Sequence, residues 1–115
     1  MALDITVEKL NGVSALVTVQ GALSLGTNLK ILDTQLQQLI EEGVTRLVLD
    51  LTASPYADSA GLGVLIHAFG RVRSKGGSMR LCGVSERIGA LLQLTHTEAV
   101  LPCDADLAAS MAAIQ

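Results

Sequence analysis

Asp58, Ser59, Ala60, Gly61, Leu62 and Gly63 make up the stretch in which residue types and spacing point to chemistry. A serine hydroxyl at the start of a helix lies among free backbone N–H groups, where the macrodipole favours negative charge by roughly 0.3–1 kcal/mol. That setting suits a hydroxyl that is to carry a phosphate. Gly61 and Gly63 leave the surrounding surface low, so a large partner can approach. Asp58 stands beside the hydroxyl, where it can help to place a metal-bound phosphate donor or repel a phosphate once it is attached. The same string also has a purely structural meaning, because Asp and Ser before a helix act as N-caps worth about 1 kcal/mol. Two glycines in a first turn weigh against that meaning alone, since each costs a helix up to about 1 kcal/mol relative to alanine.

No other grouping supplies a reaction. Ser59 lacks the Gly-x-Ser-x-Gly elbow of a hydrolase, and His67 and His96 offer no triad order. His67 is expected at a helix surface or boundary, and His96 at the close of a helix, where a cation suits the dipole. Gly61-Leu62-Gly63 is followed by no Gly-Lys-Ser/Thr, so a phosphate-binding P-loop is not indicated. Cys82 and Cys103 lack the paired spacing of a zinc site and read as two small buried hydrophobes. Arg71, Arg73 and Lys75 are ordinary end stabilisation for a helix. The sequence therefore assigns no catalytic residue, no metal ligand and no cofactor.

The elements that position Ser59 follow from hydrophobic periodicity. Leu3, Ile5 and Val7 alternate with polar residues, and Asn11-Gly12 offers hairpin chemistry before a second strand, Val13 to Gln20. Thr27 or Asn28 is a candidate cap for a helix whose Leu29, Leu32, Leu36, Leu39 and Ile40 recur every three or four residues, and Gly43 ends it. Leu47, Val48, Leu49 and Leu51 suit a central strand covered on both faces. Past the turn around Pro55, the residues Leu62, Leu65, Ile66, Phe69 and Val72 mark a second helix, which Gly76-Gly77 ends. A strand over Ser78 to Cys82 precedes a helix capped by Ser85, with Ile88, Leu91, Leu92 and Thr95 on its inner side. A brief strand near Val100 and Leu101 is broken by Pro102. Asp104 is then the candidate cap of a last helix with Leu107, Met111 and Ile114 along one stripe.

The resulting order, ββαβαβαβα, predicts an α/β fold with a mixed, mainly parallel sheet of four to five strands and about four helices. At 115 residues the chain is expected to form one domain over 1–115. Half of the residues are hydrophobic and 17% are charged, which drives collapse and excludes global disorder. One Phe, one Tyr and no Trp leave no stacking platform, and a net charge of -3 without a basic cluster argues against nucleic acid as a partner. No apolar run has the length of a membrane span and no basic leader opens the chain, so no membrane association and a cytoplasmic location are expected.

The Asp-Ser-x-Gly-Leu-Gly string, after a hydrophobic strand ending Leu49-Asp50-Leu51 and before a Leu/Ile-rich helix, resembles that of the STAS domain, named for sulfate transporters and anti-sigma factor antagonists. The resemblance extends to Gly21-Ala22-Leu23, Gly76-Gly77 and the helix from Ile88 to Leu94, and is strongest to stand-alone bacterial anti-sigma factor antagonists. It implies that Ser59 is phosphorylated and that Ser24, Asp58, Ser59, Ala60, Gly61, Leu62 and Gly63 face the partner. The partners it implies are an anti-sigma factor that is itself a serine kinase, and a serine phosphatase. Unphosphorylated antagonist binds the anti-sigma factor and frees the sigma factor, and phosphorylation ends that binding. ATP and magnesium belong to the kinase. One departure from the family is visible: its first loop commonly reads Gly-x-Leu-Asp, whereas this chain has Gly21-Ala22-Leu23-Ser24, so the hydroxyl of Ser24 stands where a charge is usual. Ala60 excludes a second phosphosite next to Ser59. The resemblance also leaves room for a non-switching subunit of a signalling scaffold, a lipid-trafficking system or a transporter.

Overall fold

The computed structural model describes residues 3–25 and 29–114. In chain order the elements are β1 (Asp4–Lys9), β2 (Ser14–Gln20), α1 (Leu29–Glu41), β3 (Arg46–Ala53), α2 (Ser59–Ser74), β4 (Ser78–Cys82), α3 (Glu86–Leu94), β5 (Cys103–Asp104) and α4 (Leu107–Ala113). The strands form one sheet in the order β1-β2-β3-β4-β5. β1 and β2 pair antiparallel and every other pair is parallel, so the predicted mixed sheet is observed, with β3 at its centre. The expected cap at Thr27 or Asn28 lies outside the described residues.

The hairpin uses Asn11 differently from the expectation. Neither Asn11 nor Gly12 has a positive φ. Instead Asn11 Oδ1 accepts from the N–H of Val13 and of Ser14, each at 2.9 Å, closing the loop with its side chain.

Alternation along β3 divides the protein into two layers. Leu47, Leu49 and Leu51 point into the main core with Val17 and Val19 of β2, Leu81 of β4, Leu32 and Leu36 of α1, Leu65 and Val72 of α2, and Ile88 and Leu92 of α3. Val48 points the other way and meets Cys82 and Ile114 in a small second cluster beneath α4. The central strand is thus covered on both faces, as its unbroken apolar run predicts.

Three helices end in the same way, with paired backbone bonds around a left-handed residue. In α1 the N–H of Val44 reaches Leu39 O at 3.0 Å and that of Gly43, at φ 102°, reaches Ile40 O. In α2 the N–H of Gly77 reaches Val72 O at 2.9 Å and that of Gly76, at φ 78°, reaches Arg73 O. In α3 the N–H of Thr97 reaches Leu92 O at 2.9 Å, but the left-handed position is taken by His96, at φ 58°. His96 therefore lies one residue beyond the C-cap Thr95, in a conformation that suits glycine.

The last third of the chain departs most from expectation. The fifth strand is Cys103–Asp104, after Pro102 and not before it; Leu101 is buried and Val100 is exposed. Pro102 supplies only its carbonyl, which accepts from Leu81 N at 2.9 Å, so its missing N–H costs nothing there. Asp104 is not a cap. It accepts from Arg80 Nε at 2.7 Å, from Arg80 Nη2 at 3.0 Å and from the hydroxyl of buried Ser110 at 2.6 Å. Asp106 caps α4, accepting from Ala109 N at 2.9 Å. Cys82 is buried, as read from the sequence, whereas Cys103 is exposed. On α2, Ile66 is exposed and Ala68 takes its place in the core, and on α3 Thr95 is exposed. No helix among the described residues is long and apolar enough to cross a membrane.

Candidate functional site

The predicted residues meet where two loops leave the carboxyl ends of adjacent parallel strands. One follows β2 and carries Leu23, Ser24 and Leu25; the other follows β3 and carries Tyr56, Ala57 and Asp58. Backbone pairing stitches them together. Leu23 N donates to Tyr56 O at 2.8 Å, Asp58 N donates to Leu23 O at 3.0 Å, and Leu23 and Ala57 form a parallel bridge. A second tie lies just below, where the hydroxyl of the fully buried Ser54 donates to Gly21 O at 2.6 Å. With its side chain fully buried, Leu23 anchors the junction in the core.

Asp58 is the N-cap of α2, in extended conformation at φ -102°. Its Oδ1 accepts from Gly61 N at 2.9 Å, and its Oδ2 accepts from Leu25 N at 2.9 Å. One carboxylate thus caps the helix and holds the neighbouring loop. The amides of Gly61 and Leu25, in that order, keep its pKa below the usual carboxylate range, because both bonds favour the charged form.

The cap settles a question that the sequence leaves open between Asp58 and Ser59. Since Asp58 fills the capping position, Ser59 is the first helical residue and its exposed side chain is not spent on the cap. Its hydroxyl lies at the positive end of a 16-residue helix, beside one ionised carboxylate. Ser24 and Ala60 are half-buried nearby, Leu62 is buried, and Gly63 is exposed.

The two glycines serve different ends. Gly61 is buried, and a Cβ placed on it would stand 2.0 Å from Leu23 O and 2.8 Å from Leu23 C. Its lack of a side chain lets the first turn of α2 touch the Leu23 backbone; it does not open the surface to a partner, as the sequence suggested. A Cβ on Gly63 would meet nothing within 4 Å. Packing therefore accounts for Gly61 and leaves Gly63 unexplained.

Sequence reasoning missed three neighbours. Leu25 is 79% exposed although its backbone is held. Tyr56 lies under the guanidinium of Arg87, 4.5 Å from ring centroid to Cζ, and Ser85, the cap of α3, donates its hydroxyl to Pro55 O at 3.0 Å. These contacts tie α3 to the loop that carries Asp58. A leucine between Ser24 and Gly26, outside any periodic run, was the available signal for Leu25. For Tyr56 and Arg87, which are 31 positions apart in sequence, no local pattern exists. His67 is exposed on α2, 3.8 Å from Asp33, and far along the helix from Ser59.

Comparison with known proteins identifies the family and the fold. The STAS domain matches residues 4–110. An anti-sigma-B factor antagonist of Listeria monocytogenes is 33% identical over 79 residues, which cover 69% of this chain and 68% of the relative. Among solved structures, an anti-sigma factor antagonist from Mycobacterium paratuberculosis superposes with a TM-score of 0.87 at 19% identity, covering 98% of this chain and 94% of the other. The Bacillus cell fate determinant SpoIIAA in its phosphorylated form gives a TM-score of 0.76 at 12% identity, covering 97% of this chain and all of the other (100%). At those identities the structural likeness is one of fold. With the family match running over nearly the whole chain and a relative at 33% identity, this protein belongs to the STAS domain family.

Proposed function

We propose that this chain is an anti-sigma factor antagonist that works by partner switching, with Ser59 as its phosphoacceptor. The observation that carries this reading is the division of labour at the start of α2: Asp58 caps the helix and Ser59, one residue on, is exposed and free of that duty. The reading is supported by the anti-sigma-B factor antagonist of Listeria monocytogenes and by a phosphorylated neighbour in fold. Unphosphorylated, the surface formed by Ser24, Asp58, Ser59, Ala60 and Gly63, underpinned by the buried Gly61 and Leu62, binds an anti-sigma factor that is also a serine kinase. A phosphate on Ser59 adds about -1.5 to -2 charges beside Asp58 and ends the contact without unfolding the domain, and a serine phosphatase restores it. The cycle places the protein in the cytoplasm, as a binding partner with no reaction of its own. Because Ser24 replaces the usual acid, Asp58 is the carboxylate left to repel the phosphate in this loop pair.

The test compares Ser59→Ala with Ser59→Glu as baits against the purified anti-sigma factor kinase of the host. Retention by the Ala form and loss by the Glu form supports the switch. Equal binding by both, together with an intact mass that never shows a phosphate in any growth condition, refutes it.

A further inference from the structure

We propose that Leu25 is an apolar anchor for the anti-sigma factor and that Asp58 is the latch through which phosphorylation of Ser59 withdraws it; this rests on the switching role proposed for Ser59. Single exposed leucines are common on protein surfaces and by themselves mean little. In Leu25 the backbone is held while the side chain is 79% in solvent. An apolar side chain whose backbone is already ordered loses less freedom on docking, which is the economy expected of an interface anchor. It also borders the proposed switch, since Leu25 and Gly61 share the Asp58 carboxylate. The other leucine of equal exposure, Leu94, lies at the end of α3, with no such link to Ser59.

The contacts of this loop differ in their dependence on charge. Leu23 is held by two backbone bonds and by a buried side chain. The Leu25 amide is held by a carboxylate at the helix N-terminus. Phosphorylation transfers the γ-phosphoryl group of a nucleoside triphosphate to Ser59 Oγ: the new Oγ–P bond forms as the bond to the nucleoside diphosphate breaks, and the hydroxyl proton leaves to solvent. The phosphate brings about -1.5 to -2 charges and three acceptor oxygens to the first residue of α2. It repels the adjacent Asp58 carboxylate and offers new acceptors to the amides of the first turn that Asp58 now caps. Displacing Asp58 removes the acceptor of Leu25 N–H and leaves the Leu23 pairing intact. Leu25 then loses its ordered backbone, and the partner loses a preorganised contact in addition to meeting a new charge.

The test uses the full chain, unmodified and carrying phosphoserine at position 59, in two measurements. Amide hydrogen exchange followed by NMR is expected to show the Leu25 N–H opening on the order of tenfold faster in the phosphorylated chain, with the Leu23 N–H unchanged. Titration of the purified anti-sigma factor kinase against unmodified Leu25→Ala and Asp58→Asn chains is expected to show affinity weakened by on the order of tenfold in each, as for loss of an interface anchor. Exposure of Leu25 makes Leu25→Ala neutral for folding, so thermal unfolding serves as its control. Unchanged exchange at Leu25 on phosphorylation, or wild-type affinity of Leu25→Ala, overturns the latch. If Ser59→Glu still abolishes binding in that event, the switch at Ser59 stands without it; if Ser59→Glu binds like wild type, the switch itself falls.

Discussion

Gly61 and Gly63 stand two residues apart in α2, and the structure predicts that the same substitution has opposite effects on them. On Gly61 a new Cβ would stand 2.0 Å from Leu23 O, 2.8 Å from Leu23 C and 2.9 Å from Leu23 Cβ. Two of the three are backbone atoms of a residue held by a buried side chain and by hydrogen bonds on both sides, so a side-chain rotation cannot relieve the overlap. Forcing a methyl group into such a contact costs typically 1–3 kcal/mol, and at the upper end or beyond where backbone must move, so about 3 kcal/mol is taken here. Alanine returns up to about 1 kcal/mol of helix propensity. Gly61→Ala is therefore expected to destabilise the protein by about 2 kcal/mol. For a domain of this size that lowers the melting temperature by roughly 6–10 °C. On Gly63 the Cβ meets nothing, so Gly63→Ala keeps the propensity gain and raises stability by about 0.5–1 kcal/mol. Urea and thermal unfolding of the three proteins, with equal m-values as a check on two-state behaviour, measure both effects. If Gly61→Ala is neutral, the close approach of α2 to Leu23 does not exist in solution, and the placement of Ser59 built on it fails. If Gly63→Ala destabilises, the first turn is packed on a side that the structure leaves open.

His96→Gly removes a side chain from a left-handed position and is expected to raise stability by about 0.5–1 kcal/mol in urea unfolding; destabilisation would show that the imidazole makes a contact that outweighs the strain. The carboxyls of Asp58, held by backbone amides, and of Asp104, held first by Arg80, both titrate below the ordinary value of 3.8 in the folded protein. Their stabilisation is complete above that unfolded value and is lost as pH falls through the lower folded values. Stability is therefore expected to decline from about pH 5 downwards, less steeply in Asp58→Asn, and parallel declines would separate Asp58 from the acid response. Burial pushes the Cys82 thiol up to about 11; it raises the Cys103 thiol as well, although Cys103 is an exposed residue. A maleimide near neutral pH should label Cys103 in the folded protein and Cys82 only after denaturant, as read by intact mass; rapid double labelling would contradict the packing of Val48, Cys82 and Ile114 beneath α4.

Local chemistry made much of the fold legible. Gly43 and Gly76 announce helix ends because a left-handed residue after a helix is a single-residue requirement. The run from Leu47 to Leu51 announces a central strand because burial on both faces needs apolar residues at both parities. Where two residues compete for one role, local chemistry does not choose. Asp104 and Asp106 are both plausible caps, and the choice went to Asp106 because Arg80, 24 positions away from Asp104, takes that carboxylate across the β4–β5 pair. Ile66 and Ala68 both fit a helical stripe. The larger residue is the exposed one, because the orientation of α2 over the sheet is set by packing and not by hydrophobicity alone.

The sequence by itself determined the class of the protein and the place of its proposed switch: an aliphatic α/β domain, with an Asp-Ser pair at a helix start following the central strand. Those properties follow from periodicity and from a contiguous motif, which neighbouring residues carry without help from the rest of the chain. Only the tertiary structure decided which of the pair caps and which is free, why Gly61 must be glycine, and that Leu25 shares the Asp58 carboxylate with the helix. Each of those depends on the loop after β2 lying against the loop after β3, 33 residues further on, with Asp58 bonded to Leu25. Parallel pairing of β2 and β3 brings them together, and no spacing within either loop records it.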